Sequence, residues 1–441
     1  ATTEIYTLSL HDALPILMRA PDNTMLNAFV PGAVDLPAAD QQLIDRRAKA
    51  MGPAYRLFYE KPLNLVRGED VWLYGADGTK YLDVYNNVAS VGHSHPHVVR
   101  AISNQAATLC THTRYLTTEP VAFAERLLVS FPEEIGHVMF TNSGSEANDL
   151  ALRLAFDVTG GSGVIITNNA YHGTTHLIAG LSPSLGPGVL PYQNTWLVAP
   201  PLDADGQAFA QRVSSALEDM RAKGIKPAAL LIDSIFTSDG VAAGPKGFLA
   251  PAAALMKKEG ALIIADEVQP GFGRTGDSMW CFTRHVIVPD MVTMGKPMGN
   301  GYPVAALALR PEVIADFGAK SRYFNTFGGN TIAMAAANAV LDVIENQDLI
   351  VNAKKIGDAM AQALRQTAGL GEVRAAGLML AVDIIDANGS PDPIAASRLV
   401  NQLAQKGVLI STSRKDGSAL KIRPPLTFSL THLDFFMEKL S

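Results

Sequence analysis

Residues 70–84, "DVWLYGADGTKYLDV", place two apolar stretches on either side of an Ala-Asp-Gly turn, which predicts a β-hairpin. From about 98 to 310 the pattern changes. Short apolar runs rich in β-formers alternate with helical stretches: "HVMFTN" (137–142), "GVIITN" (163–168), "AALLID" (228–233), "ALIIAD" (261–266) and "VAALAL" (304–309). Runs without polar alternation are buried on both faces, so they predict a mainly parallel sheet covered by helices. After about 330 comes a long Ala-rich helix, "TIAMAAANAVLDVIENQ". Strand candidates "LMLAVDII" and "GVLIST", a polar loop "DANGSPDP" and a helix from about 393 to 406 follow.

This texture predicts an α/β protein with a large domain over 98–329 and a smaller α+β domain over 330–441. The segment 18–97, with its hairpin, is expected to join the smaller domain. Residues 1–17 lack a basic n-region and are interrupted by Glu4, His11 and Asp12, so they are not a secretory signal. They are read as an appended extension, since the first methionine is Met18.

Composition narrows the class only a little. Of 441 residues, 48% are hydrophobic and 18% charged, which fits a globular protein with a large core. A net charge of −6 without a basic run gives no support for nucleic-acid binding. No stretch of about 18 apolar residues predicts a membrane span. Two cysteines far apart, Cys110 and Cys281, point to a reducing, cytoplasmic setting and are read as core thiols.

Five short stretches carry candidate chemistry. In "MFTNSGSEANDLALRLA" (139–155) a strand runs into Ser143-Gly144-Ser145 and then a helix. Ser143 or Ser145 would cap that helix, and its N-terminal N–H groups suit a phosphate. In "NNAYHGTTH" (168–176) Tyr171 stands just past a strand, where an aromatic can stack on a flat ligand. His172 and His176 are four apart, but the glycine and threonines between them argue against a metal-binding helix, and no metal is expected. In "ALIIADEVQPGFGRTG" (261–276) Asp266 ends a strand, where a carboxylate can hold a cation or a protonated ring nitrogen. In "VTMGKPMGNGYP" (292–303) Lys296 sits among apolar and small residues. Desolvation there lowers a lysine's pKa and leaves a nucleophilic amine that condenses with aldehydes. In "YFNTFGGN" (323–330) Thr326 precedes paired glycines. Taken singly, these are also what a capped helix, a packed loop aromatic, a solvated acid or a surface lysine would show. Together they are the parts needed to bind pyridoxal phosphate.

The chain also resembles the class III (ω-type) aminotransferases, from about residue 55 to its end. The matching motifs are "YLDVYNNVASVGHSHP", "NSGSEANDLALRLA", "AYHGTT", "ADEVQPGFGRTG", "GKPMGNGYP" and "FNTFGGN". "NNVASVGHSHP" and "LISTSRKDGSALKIRPPLTFS" are most similar to the branch of alanine–glyoxylate aminotransferase 2-like enzymes, ethanolamine-phosphate phospho-lyases and fumonisin-type aminotransferases. The resemblance implies the fold of fold-type-I pyridoxal-phosphate enzymes. It implies that Lys296 forms the Schiff base with the cofactor and then shuttles a proton, and that Asp266 pairs with the ring nitrogen. It further implies that Tyr171 and Val268 flank the ring, Gln269 reaches its phenolic oxygen, and Ser143, Gly144 and Ser145 hold the phosphate. Thr326 would reach the cofactor phosphate of a second subunit, in a homodimer with shared active sites.

The family pattern fails at the substrate end. Many class III enzymes carry Arg-x-x-Pro-Pro for a substrate carboxylate; aligned on Pro424-Pro425, that place holds Lys421. Arg423 lies two residues on and is read as a strand residue that can point elsewhere. Arg414 stands where some ω-aminotransferases keep a mobile arginine. Asp233 and Phe236 occupy the places of a usual glutamate and glutamine. These departures predict a neutral, apolar-leaning pocket, with Phe58, Tyr59 and Trp72 as candidate walls, Trp72 being at least equally a candidate for the core. The expected activity is transfer of an amino group from an amine or ω-amino acid to a small keto acid, with pyruvate first. The alternatives are a phospho-lyase for an amino-alcohol phosphate, which should need extra cations, and a cofactor-binding protein without turnover.

Overall fold

The apolar runs of the middle of the chain line up as one seven-stranded sheet. Its order is His137–Thr141, Ala305–Leu309, Met291–Met294, Leu262–Asp266, Pro227–Asp233, Gly163–Thr167 and Thr195–Val198. The computed structural model describes residues 27–441, so the extension read at 1–17 lies outside the described residues. All strands of this sheet are parallel except Ala305–Leu309, which is antiparallel to both its neighbours.

The central strands are buried along their length, and their side chains point alternately to the two covered faces. Val164, Ile166, Leu231 and Ile264 pack with Leu150, Ala151 and Leu154 of the helix Gly144–Thr159. Ile165, Leu230 and Ile263 face the opposite way. There Phe209, Val213 and Met220 of the helix Gly206–Ala222 and Met256 of Ala250–Lys258 cover them. Each such side chain contributes about 1.5–3 kcal/mol by leaving water. Two-sided coverage also explains why only strand ends and their loops meet solvent or ligand.

The expected hairpin forms between Trp72–Gly75 and Lys80–Asp83, with Leu65–Glu69 on its outer edge. The fourth strand of that sheet is Val408–Leu409, parallel to Leu82–Asp83. A third, antiparallel sheet is built from Leu370–Ala376, Met379–Ile384, Ala419–Ile422 and Ser411–Ser413. The single strand expected over "GVLIST" is therefore two short strands in two different sheets. The chain changes sheets at Ile410, whose carbonyl accepts the Tyr59 hydroxyl at 3.1 Å. Leu370–Ala376, "LGEVRAA", gave no strand signal, because its apolar positions do not alternate.

The Ala-rich helix spans Thr331–Asn346 and is capped by Asn330, whose side chain accepts from the Ala333 N–H. Cys281 is buried as expected, but Cys110 is exposed. It follows the helix Pro96–Thr108 at the point where the chain leaves the core, so the core-thiol reading fails there.

Candidate active site

Strand ends and a helix start build a cavity of about 280 Å³. Its lining includes Ser143, Gly144, Ser145, Tyr171, Asp266, Val268, Gln269 and Lys296. Eight residues spread over more than 150 positions thus converge, because the parallel strands deliver their C-terminal ends to one edge.

The helix Gly144–Thr159 starts with a capping box. Ser143 Oγ accepts from the Glu146 N–H at 3.2 Å, and Glu146 Oε2 accepts from the Ser143 N–H at 3.0 Å and the Asn142 N–H at 2.7 Å. Ser143 is thus the cap. The Gly144 and Ser145 N–H groups, in the first turn, have no intrahelical acceptor. A Cβ on Gly144 would come within 2.7 Å of Val268, so only glycine lets the turn pack there. Gly173, at φ 138°, plays a matching part: it brings the Thr174 N–H to Ser145 Oγ at 3.0 Å.

Asp266 is buried and fully engaged. His172 Nδ1 donates to its Oδ2 at 2.7 Å and Asn148 Nδ2 at 2.9 Å, while the Val268 N–H reaches Oδ1 at 3.1 Å. Asn148 is itself oriented: it donates to the His172 carbonyl and accepts from Thr293 Oγ1 at 2.7 Å. Such a carboxylate is held in one orientation. His172, considered above only as a metal candidate, is a partner of Asp266; among the described residues no cluster of three metal-binding side chains exists.

Lys296 Nζ lies 5.8 Å from the centre of the Tyr171 ring. Burial lowers the lysine's pKa below its ordinary value; Asp266 opposes this and Arg423 adds to it. Burial, helped by Asp266 and Tyr85, raises Tyr171. The Tyr171 hydroxyl therefore stays neutral while the lysine moves toward the free amine.

Arg423 points into this region, not away. It is buried, its Nη1 donates to Gln269 Oε1, and its guanidinium lies 4.6 Å over the Tyr85 ring. Lys421 is on the same side of the strand, two residues earlier. Burial holds its ammonium well below the ordinary lysine range, with Arg423 and Lys296 adding to the shift. The Lys421 side chain makes no hydrogen bond or ion pair among the described residues, although Asp233 and Asp239 favour its charged form.

Lys421 lines a second cavity of about 210 Å³ together with Phe58, Tyr85, Asn169, Ser411, Ser413, Arg414 and Lys415. The neutral, apolar-leaning pocket expected from the sequence is thus corrected: three basic side chains, several hydroxyls and one carboxylate, Asp416, line it. The misreading came from Phe236, which packs between Phe209 and Phe248 in the core and lines neither cavity. Tyr59 is likewise a core residue bonded to Ile410, and Trp72 packs on His432 and Phe435. Arg414 is at the cavity, but its Nη2 pairs with Asp383 at 2.9 Å, and Asp383 also takes both arms of Arg374. Asp233 lies beside Asp266 at the end of the neighbouring strand. Thr326 is exposed and outside both cavities of this chain.

The Aminotransferase class-III family matches residues 58–441. This chain belongs to the class III aminotransferases. It is 36% identical over 438 residues to an alanine–glyoxylate aminotransferase 2-like protein of Drosophila melanogaster, covering 93% of this chain and 89% of that one. It is 34% identical to ethanolamine-phosphate phospho-lyase homolog 1 of Caenorhabditis elegans, over 92% of this chain and 96% of that one. Among solved structures, a phospholyase from Arthrobacter in complex with phosphoethanolamine superposes with a TM-score of 0.87 at 37% identity, covering 90% and 98% of the two chains. The fold is that of the pyridoxal-phosphate-dependent transaminases, and the class III aminotransferases take pyridoxal phosphate as cofactor. The cavity fits that group: free helix N-terminal N–H groups, a buried carboxylate and a desolvated lysine share one space.

Asn148, His172, Tyr85 and Arg423 are the site residues that the sequence reading missed or set aside. The signal for Asn148 was present: it shares a helix with Ser143, five residues on, and faces the sheet.

Proposed function

We propose that the chain transfers an amino group from an amine or ω-amino acid bearing an anionic group to a small keto acid, with pyruvate as the first candidate. The observation that carries this reading is the pair of buried basic side chains Lys421 and Arg423, next to the cavity that holds Lys296 and Asp266. Burial favours the neutral amine of Lys421, and an anionic group arriving beside it would restore the ammonium.

When bound, pyridoxal phosphate supplies an aldehyde for amines and a ring that accepts the electron pair left by a broken Cα–H bond. The chain's own residues do the rest. The N–H groups of Gly144 and Ser145, with the Ser143 and Ser145 hydroxyls, bind phosphate at the helix start. Asp266, fixed by His172, Asn148 and Val268, holds a proton at the ring nitrogen. Tyr171 and Val268 would flank the ring, and Gln269 would donate toward its phenolic oxygen. Lys296, as a neutral amine, would move a proton between carbons within its reach. Lys421 takes the substrate's anionic end, with Phe58 as an apolar wall. Arg414 can join it for the keto acid by leaving Asp383.

The same cations favour a second reading, a phospho-lyase that releases phosphate from an amino-alcohol phosphate. It draws on the phosphoethanolamine-bound neighbour, which shares 37% of its sequence with this chain. Incubating purified protein with pyruvate and a panel of amines, and measuring alanine, tests the first reading. Phosphate release from phosphoethanolamine tests the second. Phosphate without alanine would overturn the first.

The working unit is read as a homodimer that shares its sites across the interface. Thr326 and Phe327 are exposed on one loop, and Tyr115 and Leu116 on another. The two loops are tied together by Arg114 over the Phe324 ring at 3.6 Å. An apolar surface of that kind is normally covered. The free cysteines accord with a cytoplasmic setting, and no described helix is long and apolar enough to cross a membrane.

A further inference from the structure

Gln269 and Tyr85 line different cavities, and Arg423 touches both. Arginine has donors only, so the Gln269 oxygen must face it. The amide's other end, Nε2, is thereby turned away from Arg423. Nε2 makes no hydrogen bond to the described residues, and Gln269 lines the cavity that holds Lys296 and Asp266. A glutamine without such a partner could present either end of its amide.

We infer that Arg423 is a positioning residue that fixes the Gln269 side chain so that it presents N–H, and not C=O, to the bound cofactor. The inference rests on the cofactor-binding reading proposed above and assigns Arg423 a task separate from gripping substrate. The geometry around the guanidinium supports this. The Arg423 backbone N–H is bonded to the Val84 carbonyl at 2.8 Å, which fixes where the side chain starts. Tyr85 covers its flat face. Its Nε is buried without a partner, so Gln269 and Tyr85 are what hold it. A second basic side chain, Lys421, also faces this region, with Asp233 and Asp239 favouring its charged form. With the amide fixed, an N–H donor stabilises negative charge on the cofactor's oxygen. With the amide reversed, a carbonyl would repel it.

The test uses the cofactor-loaded protein without substrate, where a role in substrate binding has no effect. The readout is the pH midpoint at which the bound cofactor's visible absorption changes. Losing an N–H donor, or the cation behind it, favours the protonated form, so the midpoint should rise. Arg423→Met and Gln269→Leu should each raise it by about one pH unit, a tenfold change in proton affinity. The double variant should shift no further than the larger single one, because both act through one hydrogen bond. If Arg423→Met does not fold, Arg423→Gln, whose amide can face Gln269 with either end, replaces it. Its shift should be present in the wild-type background and vanish with Gln269→Leu. An unchanged midpoint in folded, coloured Arg423→Met protein would overturn the inference. So would additive shifts in the double variant. If the wild-type protein never takes up the visible band, the cofactor reading itself has failed, a result distinct from either.

Discussion

The two cavities differ in how their charges are satisfied. In the one holding Lys296, the carboxylate of Asp266 has three donors, and the helix start is closed by a capping box. In the neighbouring one, Lys421 has no partner, and Arg414 reaches an internal carboxylate from a left-handed backbone position at φ 70°. The first is finished before any substrate arrives. The second keeps its charge open. A site that reuses one cofactor should be preorganised around it, whereas a site that admits two substrates in turn must retain unspent interactions.

Four substitutions or titrations can break this contrast. Lys296→Ala should have the largest effect: turnover falls by about 10⁴-fold or more, as for removal of a group that both captures and moves protons. Loss of the visible band on gel filtration checks it. Asp266→Asn comes next, with turnover down roughly 10²–10³-fold and stability down by about 1–3 kcal/mol, because an amide cannot accept from all three donors. Steady-state rates and urea unfolding measure both.

Lys421→Met should separate function from stability. KM for an anionic substrate should rise about tenfold or more, while unfolding stability changes by no more than about 1.5 kcal/mol, since burial already holds the amine toward its neutral form and Met has a similar volume. A larger fall in stability would mean that Lys421 is satisfied within the protein, and the contrast between the cavities would be lost. The mildest effect is on cofactor uptake. The neutral form of Lys296 is the nucleophile, and burial lowers its pKa. The rate of colour formation from apoprotein should therefore rise with pH and level off below the ordinary lysine range. A rise that continues to the ordinary range, about pH 10.4, would place Lys296 in solvent.

The sequence made the first cavity readable because each of its parts sits on a local signal. Lys296, Asp266 and the Ser143–Ser145 turn are each bound to a strand end or a helix cap, and those are short-range features. His172 was visible but misread, since a histidine's partner depends on which strand end lies across from it. The second cavity was not readable in the same way. Phe58, Tyr85, Asn169, Ser411 and Lys421 come together only through the pairing of Leu82–Asp83 with Val408–Leu409 and the packing of three sheets. Phe236 was misplaced for a related reason. Its positive φ of 56° turns it into the core, and nothing in "DSIFTSDG" announces that backbone state. Arg423 and Lys421, two apart on one edge of a strand, had to face the same way; period-two reasoning on "KIRPP" would have kept both at the site.

The crossing at Ile410 carries a practical lesson for redesign. Val408–Leu409 are tied to the early hairpin, and Ser411–Ser413 form the wall of the substrate cavity. Six consecutive residues therefore couple the register of an N-terminal strand to the position of a specificity wall. A transplant of specificity from a relative that moves only 408–423 would leave that register to the recipient. Segments 58–85 and 408–423 form one exchangeable cassette, although more than 300 residues separate them in the chain.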